Sequence, residues 1–419
     1  MPALNLASVA RLRARIAPLA GAVALGIAAI LFARGGEIAQ FLFLQLVHRW
    51  RWAPLVLTPL LFAAVTHATR CLWPAARGSG IPQVMAAQHN PAAAARSPLV
   101  SLPTAAAKAI GTLLILLAGG SAGREGPTVQ ISAAIMVAMQ RWFRVPVTAG
   151  IIIAGGAAGV AAAFNTPLAG VAFAIEELAA AFEQKVAVSV MATVMAAGLV
   201  SLGLSGDYVY FGIMNTPLPT PAMLIVAPAA GVTGGLCGGL FSRVLVAFAG
   251  AGEGAGVTGW LRSHPLLFSG GCGLVVAATG IATGGLTWGT GYDTTRLLLA
   301  GRHASLLLGP GKFLATLATA VSGTPGGIFA PSLSVGAGLG QSLGALFPSS
   351  PSGAIVLLGM AGYFTGVVRA PLTSVIIMME MTADRTMILP LFATAIIADA
   401  VSALVCRDKL YHALAQQFA

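Results

Sequence analysis

Two proline-centred segments stand 204 positions apart, and a second pair of segments keeps the same spacing. Gly123-Arg124-Glu125-Gly126-Pro127-Thr128 aligns with Gly327-Ile328-Phe329-Ala330-Pro331-Ser332. Farther on, Phe164-Asn165-Thr166-Pro167-Leu168-Ala169-Gly170-Val171 aligns with Val368-Arg369-Ala370-Pro371-Leu372-Thr373-Ser374-Val375. Gly155 and Gly359, Ala157 and Ala361, and Glu176 and Glu380 hold the same register. One gap-free offset across two motifs points to an internal duplication, so the fold is constrained to two related halves. The copies differ where Glu125 of the first meets Phe329 of the second, an ionisable group against an apolar wall.

The medium of those halves follows from charge. The chain is 57% hydrophobic and 8% charged, whereas soluble domains carry about 25% charged residues. It reads as a polytopic membrane protein, a class in which duplications of this kind recur among transporters. Apolar stretches run through 17–33, 53–68, 98–119, 147–163, 165–182, 186–204, 221–250, 264–285, 304–322, 353–379 and 387–405. A span needs about 20 apolar residues, and several stretches are shorter or interrupted. With 52 Gly and 24 Pro, many segments are expected to be half-helices. Irregular backbone at membrane depth is tolerated where it is buried or lines a wet cavity, which favours a transport path over a simple anchor. The expected fold is an all-α membrane protein, with an N-terminal repeat over 1–215, a C-terminal repeat over 216–405 and a short helix with Tyr411 over 406–419.

The net charge of +11 reads as topology. Arg11, Arg13 and Arg15 precede the first apolar stretch, while Arg407 and Lys409 follow the last. Basic residues favour the cytoplasmic side, so both termini are expected there. No basic run is interleaved with aromatics, which argues against nucleic acid. No convincing cleavage site follows residue 33, so the first stretch reads as a retained span rather than a signal peptide. Cys71, Cys237, Cys272 and Cys406 form no CxxC pair and read as buried small hydrophobes. The six histidines are scattered without HExxH, and Gly309-Pro310-Gly311-Lys312 departs from a nucleotide-binding loop. No cofactor is expected.

Several segments can hold an anion. Arg77-Gly78-Ser79-Gly80-Ile81-Pro82 reads either as a Gly-Ser-Gly turn with an ordinary N-cap or as an anion site. The second reading rests on a hydroxyl and N–H groups at a proline-initiated helix end. Pro127 fits the first turn of a helix, which puts Arg124, Glu125 and Gly126 at its N-terminal end. Glu125 either steadies that helix dipole or serves as an intramembrane acid, for which function is the default hypothesis. Ionised, it competes with an anion for the site; protonated, it can swing away. Gly326-Gly327-Ile328-Phe329-Ala330-Pro331 supplies a second helix end. Neutral N–H groups there offset dehydration without holding an ion too tightly to leave. Glu176 and Glu177 close an apolar run, either as a pair of interfacial acids or with one of them facing a cavity, since adjacent helical residues point about 100° apart. Glu380 repeats Glu176, which marks that position as structural, whereas Met381 stands opposite Glu177, leaving Glu177 the specialised role. Tyr411 by itself reads as an interfacial tyrosine. Lys108, alone in an apolar stretch, predicts a buried partner for an acid.

Taken together, GSGIP at 78–82, GREGPTVQ at 123–130, FNTPLAG through Glu177, GGIFAP at 326–331 and RAPLTSVIIMMEMT at 369–382 resemble the CLC chloride channel and transporter family, over roughly residues 75–415. The resemblance implies two inverted-topology repeats with broken half-helices, a pore in each subunit and a homodimer in the lipid bilayer. It implies that Ser79 and Tyr411 donate hydroxyls, and Ile328 and Phe329 donate N–H groups, to a central chloride. Gly80, Arg124 and Gly126 complete the chloride-binding set. Glu125 is then the external gate and proton acceptor. Glu177 matches the internal proton-transfer glutamate of the exchanger branch, so a bacterial-type inner-membrane antiporter moving chloride against protons is expected, not an enzyme. The alternative on the same scaffold is a passive voltage- or pH-gated chloride channel. The chain ends eight residues past Tyr411, so the cytoplasmic regulatory domains of larger relatives are not expected. Gln83 and Met85 stand where some bacterial exchangers carry acids, which leaves the proton route to Glu177 open.

Overall fold

The computed structural model describes residues 6–94, 96–178, 184–206, 209–249 and 263–418. The ends of the apolar stretches 165–182 and 221–250 fall outside these residues. The regular elements of the described residues are all helices, as a backbone in hydrocarbon must bond its own polar groups. The first half contains α1 (Leu6–Arg49), α2 (Pro54–Leu72), α3 (Ile81–His89), α4 (Pro91–Ala94) and α5 (Leu102–Leu117). It continues with α6 (Glu125–Trp142), α7 (Ala149–Phe164), α8 (Pro167–Phe173) and α9 (Gln184–Ser205). The second half contains α10 (Thr220–Ala249), α11 (Pro265–Ala282), α12 (Tyr292–Leu299), α13 (Leu308–Val321) and α14 (Phe329–Gly344). It ends with α15 (Ser352–Val368), α16 (Pro371–Thr382), α17 (Ile388–Val405) and α18 (Leu410–Ala415). Among the described residues, five helices are long and apolar enough to cross a membrane. They are Leu12–Arg49 within α1, together with α2, α10, α11 and α17.

The breaks fall where local chemistry requires them. Asn165 ends α7 with φ 56°, and Pro167 then opens α8. Arg369 ends α15 with φ 60°, and Pro371 opens α16. Each proline removes a donor and fixes φ, so a continuing helix is replaced by a new one. The apolar stretch 353–379 is therefore two helices rather than one span. Glycine governs the packing of α10: a Cβ at Gly235 would lie 2.6 Å from Ala398 O on α17. Small residues of this kind let membrane helices approach closely.

The duplication is visible as a set of reciprocal contacts. Gly123 and Gly327, equivalent residues, pair in an antiparallel bridge with N–H to O distances of 2.7 and 2.8 Å. Equivalent residues that run antiparallel are what a two-fold axis between inverted copies requires. Glu176 accepts from Leu372 N at 3.1 Å and Thr373 N at 2.7 Å, at the start of α16. Its repeat Glu380 accepts from Leu168 N at 3.1 Å and Ala169 N at 2.7 Å, at the start of α8. Each copy thus caps the other's broken helix, which gives both acids a structural role. Glu380→Gln keeps one acceptor oxygen and loses the charge. It should lower the melting temperature in detergent, with a cost of about 1–2 kcal/mol; an unchanged melt would mean the cap carries no stability.

The repeat also extends upstream of the two sequence motifs. Gly78-Ser79-Gly80-Ile81 corresponds to Gly289-Thr290-Gly291-Tyr292, 211 positions later. Gly78 and Gly289 both have φ 65°, while Gly80 has φ 107° and Gly291 φ 84°. The offset exceeds 204 because the first copy carries a longer connection, α4 included, between this turn and α5.

Candidate anion and proton site

Three helix N-termini converge at the bridge between the halves. The turn before α3 is joined to the loop before α14 by Gly326 N donating to Gly78 O at 3.1 Å. The loop before α6 is joined to the same loop by the Gly123–Gly327 pair. Glycine is required for this approach. A Cβ on Gly126 would strike Ser79 Oγ, and a Cβ on Gly80 would lie 2.8 Å from Gly126 O. Gly80 and Gly126 therefore bring backbone together and leave small donors at the surface of the site.

Ser79 Oγ and Tyr411 OH are buried and face each other, with no other protein partner. Buried hydroxyls usually have partners, and these two gather their donors at one place. Ile328 and Phe329, at the start of α14, donate neither backbone N–H within the described fold. The Phe329 ring packs 4.9 Å from Phe364 and 6.0 Å from Tyr411, centroid to centroid. Tyr411 is fully buried; an interfacial place does not describe it. Ser79, Ile328 and Tyr411 line a cavity of about 350 Å³, together with Arg77 and Arg70.

A second cavity, of about 430 Å³, is lined by Glu37, Gln40, Arg124, Tyr210, Tyr292 and Arg296. Glu125 lies between the residues that line the two. Its side chain is wholly buried. Oε1 accepts from Tyr292 OH at 2.6 Å and Oε2 from Ala330 N at 3.3 Å. The carboxylate of the first copy thus sits against the helix end of the second. Arg124 is held by Ala33 O at 2.6 Å, Glu37 Oε1 at 3.0 Å and Tyr210 OH at 2.9 Å. Its charge faces the second cavity rather than Ser79.

Glu177 lies on a π-helical turn, Ala174–Leu178, that continues α8. Such turns redirect a side chain and recur at functional sites. Glu177 is buried, and the side-chain partner of its carboxylate among the described residues is His412 of α18, with Nδ1 3.5 Å from Oε1. Glu176, beside it in sequence, points instead to the start of α16.

Lys108 is buried without an acid beside it: Nζ donates to Arg77 O at 3.1 Å and Gly78 O at 2.8 Å. Carbonyl oxygens satisfy the ammonium, which braces the turn that carries Ser79. Its repeat Lys312 does the same for Thr287 O at 3.0 Å and Gly289 O at 2.6 Å. Cys71 is also exposed rather than buried. The sequence reading did not single out Tyr292, His412 or Lys312 as site residues. The GTGY string at 289–292 was the available signal for Tyr292, since it copies GSGI at a shifted offset.

The family model described as voltage gated chloride channel matches residues 60–403. The chain belongs to the CLC family. It is therefore a multi-pass membrane protein built from two inverted repeats. The CLC fold is also evident from solved structures. A slow cyanobacterial Cl⁻/H⁺ antiporter is 24% identical, with a TM-score of 0.82 over 97% of this chain and 98% of that one. A CLC-type fluoride/proton antiporter is 21% identical, with a TM-score of 0.78 over 96% and 98%. A eukaryotic CLC transporter is 21% identical, with a TM-score of 0.75 over 97% of this chain and 75% of that one.

Proposed function

We propose that this CLC protein exchanges chloride for protons across a bacterial-type inner membrane, as a homodimer with both termini in the cytoplasm. In this reading the first half is 1–215, the second 216–405, and 406–419 adds Tyr411. Chloride from the cavity beside Arg77 is received by the hydroxyls of Ser79 and Tyr411 and the N–H groups of Ile328 and Phe329. Gly80 and Gly126 permit the close approach, and Arg124 draws anions into the second cavity. Glu125 blocks the path when ionised and carries a proton when neutral; Glu177 passes protons to the other side. Chloride and protons are the transported species, and no cofactor takes part. The observation that carries this reading is the place of Glu125. A buried carboxylate occupies donors at a helix end between two cavities, where an anion and a proton compete for one position.

The donors at Glu125 set its closed position. Tyr292→Phe removes the shorter of the two bonds, which weakens the closed position by about 1–3 kcal/mol. Chloride turnover in liposomes should rise; a lower turnover would mean that Tyr292 supports the open path instead.

Glu177 separates exchange from passive conduction. Glu177→Gln should leave chloride efflux from liposomes while proton movement falls to the leak. Equal proton-to-chloride ratios in the variant and the parent would remove Glu177 from the proton path. A parent protein that conducts chloride alone would favour the passive channel.

A further inference from the structure

We propose that His412 transfers protons between Glu177 and the water on the α18 side of the protein, which deepens the exchange reading and rests on it. Glu177 needs such a partner. Its side chain has no exposed surface and its oxygens meet no side-chain partner but His412, whose own side chain is 51% exposed. One imidazole therefore reaches from water to within 3.5 Å of Glu177 Oε1. An imidazole also has two ring nitrogens, so it can take a proton on one and give one up from the other.

Gln83 and Gln88 of α3 are amides, and Gln88 Nε2 donates to Leu178 O at 2.5 Å, beside Glu177. Gln83 Nε2 donates to Ala75 O at 3.2 Å and Arg77 O at 2.7 Å, and an amide does not titrate. Met85 is apolar and buried. Glu176 caps α16. The groups around His412 are few. Lys409 precedes it at the start of α18, and Glu176 neighbours Glu177. Of the elements packed on α18, α3 brings His89, whose Nδ1 lies 2.7 Å from Met85 O. Helix α10 brings Arg243, and α15 brings the buried Tyr363. Arg77 lies over the Phe418 ring, 4.9 Å from its centroid.

The step balances without a further reactant. Water supplies a proton to Nε2 of the neutral ring, giving the imidazolium. The Nδ1–H bond then breaks as an O–H bond forms on Glu177 Oε1. A neutral ring with its proton on Nε2 remains and re-equilibrates with water before the next transfer. Reversal of the same steps moves protons outward.

The test is His412→Asn in liposomes, with chloride and proton fluxes recorded together. Chloride flux reports that the protein is folded. The protons moved per chloride should fall at least about fivefold, a conservative share of what a positioned acid–base group supplies. Added 4-methylimidazole on the α18 side should restore part of the loss, which no structural role of the side chain would predict. A ratio equal to the parent's, or proton and chloride fluxes that fall together without rescue, would overturn the role of His412 alone. A parent protein that moves no protons would overturn the exchange reading and this proposal with it.

Discussion

Glu125→Gln is expected to abolish proton movement while chloride flux continues. Glutamine has nearly the shape of a protonated glutamate and keeps the contacts within reach of Tyr292 OH and Ala330 N. It cannot ionise, so it neither competes as an anion nor carries a proton. Two readouts should change together. Proton flux should drop to the leak, a loss on the order of 10²-fold or more for a group that handles every proton. The pH dependence of chloride flux should flatten. A variant that retains proton coupling would remove Glu125 as gate. A variant that conducts nothing but melts like the parent would mean that the carboxylate is needed for the open path itself.

The second large effect is expected from Lys108→Met, on chloride affinity more than on stability. Neither carbonyl that Lys108 holds is left without a donor: Gly78 O keeps Gly326 N, and Arg77 O keeps Gln83 Nε2. The structural cost should then be modest, about 1–2 kcal/mol. The electrostatic loss is larger. An ammonium close behind an anion site, at an effective dielectric near 20, contributes about 2–3 kcal/mol. Chloride should therefore bind on the order of 50-fold more weakly by calorimetry in detergent. Lys312→Met, which braces the other copy's turn, serves as comparison and should affect chloride binding much less. There the turn's hydroxyl, Thr290 Oγ1, is already engaged by Gln40 Oε1 at 3.4 Å. An unchanged affinity in Lys108→Met would mean that the amine is a neutral strut.

That contrast shows how the duplicated ends have diverged. Ser79 turns its hydroxyl toward Tyr411 beside one cavity, while Thr290 is bound to Gln40 and the neighbouring Tyr292 is turned onto Glu125. One copy offers donors to an anion and the other supplies the hold on the gate. The sequence carried the gap-free part of this symmetry plainly, because identical spacing survives as text. Both prolines that break the helices, and the matched acids Glu176 and Glu380, could be read in advance. The upstream copy could not be read at the same offset, since the longer first-copy connection shifts GTGY to 211 positions from GSGI. Lys108 misled for a physical reason. An isolated charge in an apolar run suggests a counter-charge, but two carbonyl oxygens of an adjoining glycine turn can solvate an ammonium, and one sequence does not show which carbonyls lie across the fold. His412 was hidden similarly, because its meaning depends on a π turn 235 positions upstream.

The central claim is coupling, and purified protein in liposomes tests it directly. The vesicles would hold high internal chloride at equal pH on both sides, with voltage clamped to zero by potassium and its ionophore. Exchange predicts that chloride leaving the vesicle draws protons inward against the gradient that develops. External pH then rises, and a proton ionophore collapses the rise. Chloride efflux at constant external pH would contradict the account and leave passive conduction on the same fold.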